Sequence, residues 1–436
     1  MSLYSHFHQR LHDLYPQGPL YVAFSGGLDS TVLLALAARF ATEQQRDIVA
    51  LHVHHGLQTV AKAWPQHCVQ VANELGVDCR ILSVKVETGP RVSVEAAARD
   101  ARYAALVAEL PPGAALLTGH HLDDQAETLL LALKRGAGIK GLAAMPESKP
   151  LGWGVQLRPL LERARAELEC FATEQGLRWV EDPSNADNRF DRNFLRNDIL
   201  PRLQTQWPAF ARTASRSAAL CAEQLELAQA LAEQDLPALQ NAGGGLSIAC
   251  LQSLSPARRN NALRHWLGER GLHLSRSQLE VAWRELALAR EDAEPLLAIG
   301  GNELRRYLGH LYVLALQGEP VALAALQPEQ WHDLGVGRLR LRQVPDGANI
   351  CGALALNELH IAFAVPGLRA RPAGRSGSRP LKKLWQEYGV PPWQRTRIPL
   401  LMQGDQLVAA VGMFICADYA AEADQPGWQL EWIAET

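Results

Sequence analysis

Ser25-Gly26-Gly27-Leu28-Asp29-Ser30 follows an apolar run, Leu20 to Phe24, and precedes an apolar helical pattern, Thr31 to Phe40. That succession predicts a strand, a tight glycine turn and a helix N-terminus. The unpaired N–H groups of such a helix start, with the positive end of its dipole, form a receptor for phosphate. Glycines let the backbone approach an anion closely, and the Ser25 and Ser30 hydroxyls add donors. Asp29 supplies a carboxylate where a magnesium ion bridging phosphates would sit. Taken alone, the same letters also describe a well-capped strand–helix junction with no ligand. The chain has no Gly-Lys dipeptide, which excludes the usual P-loop, and no G-x-G-x-x-G fits the turn.

Outward from this turn, strands and helices alternate. Ile48 to His54 and Cys79 to Val84 read as strands, Trp64 to Leu75 and Ser93 to Leu110 as helices, with Ser93 as a cap. Ala114 to Thr118 is a short buried-type strand that leads into Gly119-His120-His121 and a helix over Leu122 to Lys134. This alternation predicts an α/β, doubly wound parallel sheet, whose ligands collect beyond the carboxyl ends of the strands. Three strand ends carry polar clusters: Ser25 to Ser30, His52 to His55, and Gly119 to His121. In a parallel sheet they share one edge.

The doubly wound domain is expected over 1–206. A mainly helical domain follows over 207–317, closed by a strand pair from Glu303 to Leu316, and a small mixed α+β C-terminal domain over 331–436. At 436 residues the chain suffices for domains that each bury a core. A net charge of −3 argues against a protein basic throughout and leaves room for a local nucleic-acid surface. Seven cysteines without a C-x-x-C pair suit reduced thiols in a cytosolic protein. No apolar run reaches membrane-spanning length, so a soluble, cytoplasmic protein is expected.

Asp124 and Glu127, at i and i+3, share one helix face near its N-terminus. Two carboxylates there cap the helix, bind a metal or grip an ammonium group. Arg99, Arg102 and His120 are candidates for stabilising charge on phosphates. His54 and His55 point to opposite strand faces, which discounts a histidine metal site. Arg189, Arg192 and Arg196 are spaced to share a helix face, as a solvated surface or as phosphate ligands. Between Arg369 and Arg397 stand eight Lys or Arg and one acid, Glu387, interleaved with Trp385, Tyr388 and Trp393. Such a pattern suits nucleic-acid phosphates and unstacked bases, and equally surface arginines over core tryptophans.

Ser25 to Ser30 resembles the PP-loop of the N-type ATP pyrophosphatases. Within that superfamily, His52-Val53-His54-His55-Gly56-Leu57, Glu95-Ala96-Ala97-Ala98-Arg99 and Thr118 to Thr128 are similar to the tRNA(Ile)-lysidine synthase family. So are Glu181-Asp182-Pro183-Ser184-Asn185, Arg192-Asn193-Phe194-Leu195-Arg196, Gly374-Arg375, Leu381 to Glu387 and Val390-Pro391-Pro392-Trp393. The resemblance implies that the C2 oxygen of the first anticodon cytidine of a CAU-anticodon tRNA(Ile) attacks ATP. L-lysine then displaces AMP from the adenylated base to leave lysidine. It implies that Ser25, Gly26, Gly27, Leu28, Asp29 and Ser30 bind ATP, with Mg2+ on Asp29. Arg99 and His120 would act with Asp29 in adenylation, and Asp124 and Glu127 would recognise lysine. Arg192, Arg196, Arg375, Lys382 and Lys383 are the candidates for tRNA contacts, and a homodimer is one expected assembly. The rival readings are a PP-loop tRNA thiolase, disfavoured by the lack of paired cysteines, and a tRNA-binding module that only senses ATP.

Overall fold

The computed structural model describes residues 2–54, 64–84, 94–290, 293, 295–315, 318–422 and 425–435. His55, Gly56, Leu57 and the expected cap Ser93 lie outside the described residues, as does the side chain of Glu95. The chain divides into two compact units, 1–231 and 232–436.

The first unit opens with α1 (Leu3–Leu14), β1 (Leu20–Ala23), α2 (Leu28–Glu43) and β2 (Ile48–His54). Next come α3 (Trp64–Glu74), β3 (Asp78–Ser83), α4 (Val94–Ala108), β4 (Ala115–Leu117) and α5 (Leu122–Lys134). A short α6 (Ile139–Leu142) leads to β5 (Ser148–Leu151), β6 (Gly154–Leu157) and α7 (Arg165–Glu174). The sheet order is β3-β2-β1-β4-β6-β5, parallel except for the β5–β6 hairpin. The chain winds outward from β1 through β2 to β3 and then returns to place β4 on the other side of β1. The order therefore reverses between β1 and β4, where a doubly wound sheet opens a crevice at its carboxyl edge.

Strand pleating explains the two-sided core. Leu20, Val22 and Phe24 pack with α1, α2 and α7, while Tyr21 packs on the opposite face with Leu106 and Leu110. Ala115 and Leu117 join the first cluster, Ala114 and Leu116 the second. Burial on both faces removes the polar alternation of an exposed strand and leaves continuous apolar runs.

Beyond α7 the chain runs through α8 (Asp191–Phe194), a π-helical turn over Leu195–Ile199, α9 (Leu200–Gln206) and the long α10 (Phe210–Leu239). The expected arginine face is thus shorter than a continuous helix allows. Arg192 and Arg196 share it, while Arg189 precedes the helix and pairs with Asp187 at 2.7 Å.

In the second unit, helices Ile248–Ser253, Pro256–Gly268 and Arg276–Val281 enclose a core around the buried Trp266 and Trp283. Their partner is a four-stranded sheet of Leu246–Ser247 and the meander Leu296–Ile299, Asn302–Tyr307 and His310–Ala315, two strands more than the expected pair. The remainder forms two four-stranded antiparallel sheets, with Gly337–Val344 and Gly427–Ala434 central to one and Leu400–Gln403 and Gln406–Ala410 to the other. Among the described residues no helix is long and apolar enough to cross a membrane.

Candidate active site

The turn after β1 is held from several directions. Ser30 Oγ lies 3.0 Å from Ser25 Oγ, accepts from Ser25 N at 3.2 Å and donates to Gly27 O at 3.0 Å. Val180 N donates to Gly26 O at 2.9 Å. Gly26 has φ +83°, and a Cβ there would stand 2.8 Å from Cys68 Sγ, so both backbone and space require glycine. His52 Nδ1 at the end of β2 lies 2.9 Å from Phe24 O and 3.2 Å from Cys68 Sγ, which anchors the strand before the loop. Burial pushes the Cys68 thiol up to about 12, which disfavours its thiolate.

The loop after β4 closes onto the same helix start. A Cβ on Gly119 would meet Asp29 O at 2.9 Å and Ser30 N at 3.3 Å, backbone atoms that cannot swing aside. Gly119→Ala is accordingly expected to destabilise the protein by about 1–3 kcal/mol, the usual cost of overpacking. Denaturant unfolding measures it, and an unchanged midpoint would mean that the two loops are not in contact.

His121, which caps α5, is fully buried among carboxylates. Its Nε2 lies 3.4 Å from Asp124 Oδ2 and 3.6 Å from Asp29 Oδ2, its Nδ1 3.7 Å from Asp123 Oδ2. Burial opposes charge on this ring, but Asp124, Asp29 and Asp123 outweigh it and raise the pKa. His120 behaves oppositely. Burial, helped by the charges of Arg158, Arg192 and Arg99 and opposed by Asp124, lowers it to about 4.

On the face of α5, Glu127 is wholly buried and Asp124 nearly so. Both are already engaged. Arg192 reaches Glu127 Oε2 through Nε at 2.7 Å and Asp124 Oδ1 through Nη2 at 3.0 Å. Arg196 reaches Glu127 Oε1 through Nε at 2.7 Å and Asp124 Oδ1 through Nη2 at 2.9 Å. The arginines read from sequence as tRNA ligands thus lie on the acid pair, because their i, i+4 spacing turns both toward α5. Burial would raise the Asp124 carboxyl, yet His121, Arg192, His120 and Arg196 bring it down to about 2. Arg99 is exposed on α4, with its guanidinium 5.2 Å from the Tyr103 ring centre.

Residues 3–203 match the PP-loop domain family, 246–312 the TilS substrate binding domain and 359–432 the TilS substrate C-terminal domain. The chain is 43% identical to a tRNA(Ile)-lysidine synthase of Vibrio cholerae, covering 98% of each protein. It is 44% identical to one of Shigella flexneri over 95% of this chain and 96% of that one. The chain belongs to the tRNA(Ile)-lysidine synthase family. Solved structures similar in part are the U34-tRNA thiolase NcsA from Methanococcus maripaludis (18% identity, TM-score 0.41, covering 50% of this chain and 79% of that one) and a TILS C-terminal domain (17% identity, TM-score 0.24, covering 27% and 99%).

The remaining positions expected from the lysidine synthase resemblance fall in the TilS substrate C-terminal domain. Lys382 and Lys383 are exposed on the helix Leu381–Glu387, while Arg375 pairs with Glu387 at 2.5 Å. Of the interleaved aromatics, Trp385 is a core residue, and Trp393 packs edge-on to Tyr307 at 5.6 Å between ring centres. Tyr388 alone of the three is exposed. Sequence reasoning missed Arg158, Gln156 and the role of His121. Arg158 follows a parallel strand directly, which was the available signal.

Proposed function

We propose that the chain is a cytoplasmic tRNA(Ile)-lysidine synthase that joins L-lysine to C2 of the first anticodon cytidine of CAU-anticodon tRNA(Ile). What carries this reading is the meeting of a phosphate-type loop, a buried histidine cluster and a buried acid pair at one sheet edge of a family member. The cytidine C2 oxygen attacks the α-phosphate of ATP, forming a C2–O–P bond and releasing pyrophosphate. The lysine ε-amine then attacks C2, and AMP departs with the oxygen.

The N–H groups at the start of α2, with Ser25 and Ser30, bind the pyrophosphate moiety through Gly26, Gly27 and Leu28 backbone. Asp29 Oδ1 is buried without a hydrogen-bond partner, 3.8 Å from Arg165 Nε, and would supply one oxygen ligand to Mg2+. Such an ion, held by Asp29, would neutralise charge on the phosphates. Arg99 and His120 face the transferring phosphate. Asp124 and Glu127 receive an ammonium group of lysine, with Arg192 and Arg196 orienting both carboxylates.

The test is incubation of the protein with ATP, L-lysine and the CAU-anticodon tRNA, followed by nucleoside mass spectrometry. A cytidine that gains lysine less water is expected. Gain of sulfur would indicate a thiolase, and an unmodified base with uncleaved ATP a sensor. Arg375, Lys382 and Lys383 serve tRNA phosphates in this reading. Lys382→Ala with Lys383→Ala should weaken tRNA binding and flatten the dependence of log K on log salt by about 1 per lysine. An unchanged slope would remove this helix from the tRNA surface.

A further inference from the structure

Beneath His120 runs a line of polar side chains that apolar packing does not require. Thr118, Gln156 and Arg158 are 5%, 0% and 3% exposed, at the carboxyl ends of the paired strands β4 and β6. Buried polar groups are costly unless each finds a partner, and a satisfied network fixes orientation. Arg158 donates through Nη1 to Pro146 O at 2.6 Å and through Nη2 to Gln156 Oε1 at 3.1 Å, while its buried Nε has no hydrogen-bond partner. A guanidinium can only donate, so the Gln156 amide must turn its oxygen toward Arg158. Its Nε2 then donates to Thr118 Oγ1 at 3.0 Å and to Tyr103 Oη at 3.2 Å. The single Thr118 hydroxyl proton then has two outlets: Leu157 O at 3.4 Å, which already accepts from Thr118 N at 3.0 Å, and His120 Nδ1 at 3.0 Å. The shorter contact is the stronger hydrogen bond. A hydroxyl donated to Nδ1 makes that nitrogen an acceptor and puts the ring proton on Nε2.

We propose that Arg158, Gln156 and Thr118 are positioning residues that hold His120 as the neutral tautomer protonated on Nε2, making it a fixed hydrogen-bond donor in adenylation and not a proton-transfer group. The proposal rests on the reading that His120 serves that step. The chemistry asks for a donor of this kind. The attacking C2 oxygen carries no proton to remove, and pyrophosphate leaves as an anion, so charge grows on phosphate oxygens while no proton needs to move. A pre-oriented N–H stabilises such charge without reorganisation. The direction of the His120 shift, down to about 4 through burial and the Arg158, Arg192 and Arg99 charges against Asp124, agrees with a ring that stays neutral.

The experiment is nitrogen-15 NMR of full-length protein labelled at histidine, with His120 assigned by the signals lost in His120→Gln. The expected spectrum has His120 Nδ1 as the unprotonated ring nitrogen and Nε2 as the protonated one. Thr118→Val, which deletes the hydroxyl and keeps the shape, should mix the tautomers and lower kcat for tRNA-dependent pyrophosphate release by about 10–100-fold, the usual cost of losing an outer hydrogen-bond partner. KM for ATP should stay unchanged, and Thr118→Ser should restore both the spectrum and kcat. A native His120 protonated on Nδ1 overturns the proposal, and this measurement needs no variant of the relay to fold. An unaltered tautomer in Thr118→Val overturns it as well. Full pyrophosphate release in His120→Gln overturns the adenylation role while leaving the tautomer assignment standing.

Discussion

Asp29→Asn is expected to lower tRNA-dependent pyrophosphate release by about 10³-fold, in the range seen when a fixed electrostatic group is removed from a reacting phosphate or oxyanion. The substitution preserves shape and cancels one charge, so its effect isolates electrostatics. Asp29 stands in the first turn of α2, where a carboxylate already suits the helix dipole. Its Oδ2 lies 3.6 Å from His121 Nε2, while Oδ1 is buried without a hydrogen-bond partner and faces Arg165 Nε at 3.8 Å. A carboxylate oxygen enclosed in this way is costly to keep. Beside a phosphate-type loop it is the oxygen that would hold the proposed magnesium ion. Release of labelled pyrophosphate from ATP in the presence of tRNA measures the effect. A loss below about tenfold, roughly 1.4 kcal/mol in transition-state terms, would remove Asp29 as the proposed metal ligand.

The parts of this site that could be read in the sequence are those whose geometry is local. Strand, glycine turn and helix start follow one another within the stretch Leu20 to Phe40, so periodicity and φ requirements define them without tertiary information. Asp124 and Glu127 are similar, because a helix fixes the relation of i to i+3. The parallel sheet was legible as a class because strands and helices alternate, yet β5 was not, since Ser148–Leu151 is short, holds a proline and has no alternation. His121 carried no signal of its own. Its function as a buried bridge arises where α2 and the loop after β4 meet, and Asp29 is remote from it in sequence. The partners of Arg192 and Arg196 are likewise a matter of packing. Spacing shows that they share a face and leaves open whether that face meets solvent, phosphate or α5. Trp385 shows the same ambiguity, since Leu381, Leu384 and Trp385 form the buried side of a helix whose other side carries Lys382 and Lys383.

Glu127→Gln is expected to raise the lysine KM by about 100-fold or more, the scale of truncating one partner of a buried charge pair, while pyrophosphate release stays near the native rate. Asp124 is the less clean probe, because its Oδ2 also accepts from His121 N at 3.0 Å and its loss would disturb the start of α5. Glu127 has no such backbone duty. Its two oxygens meet Arg192 and Arg196, so the acid pair and the arginine pair cancel in formal charge before any substrate arrives. In the proposed reading a lysine ammonium takes carboxylate lone pairs that guanidinium groups now share. Glutamine leaves two arginines facing one carboxylate, which repels the incoming cation. The same imbalance should lower the melting temperature, since an unpaired buried charge costs about 3–5 kcal/mol. Acid should act in the same sense at the other carboxylate. The folded-state pKa of Asp124, about 2, lies below the ordinary 3.8, so its contribution to stability is complete above 3.8 and is lost as pH falls toward 2. A Glu127→Gln enzyme with native lysine KM and intact adenylation would show that the acid pair is scaffold for the arginines and that lysine binds elsewhere.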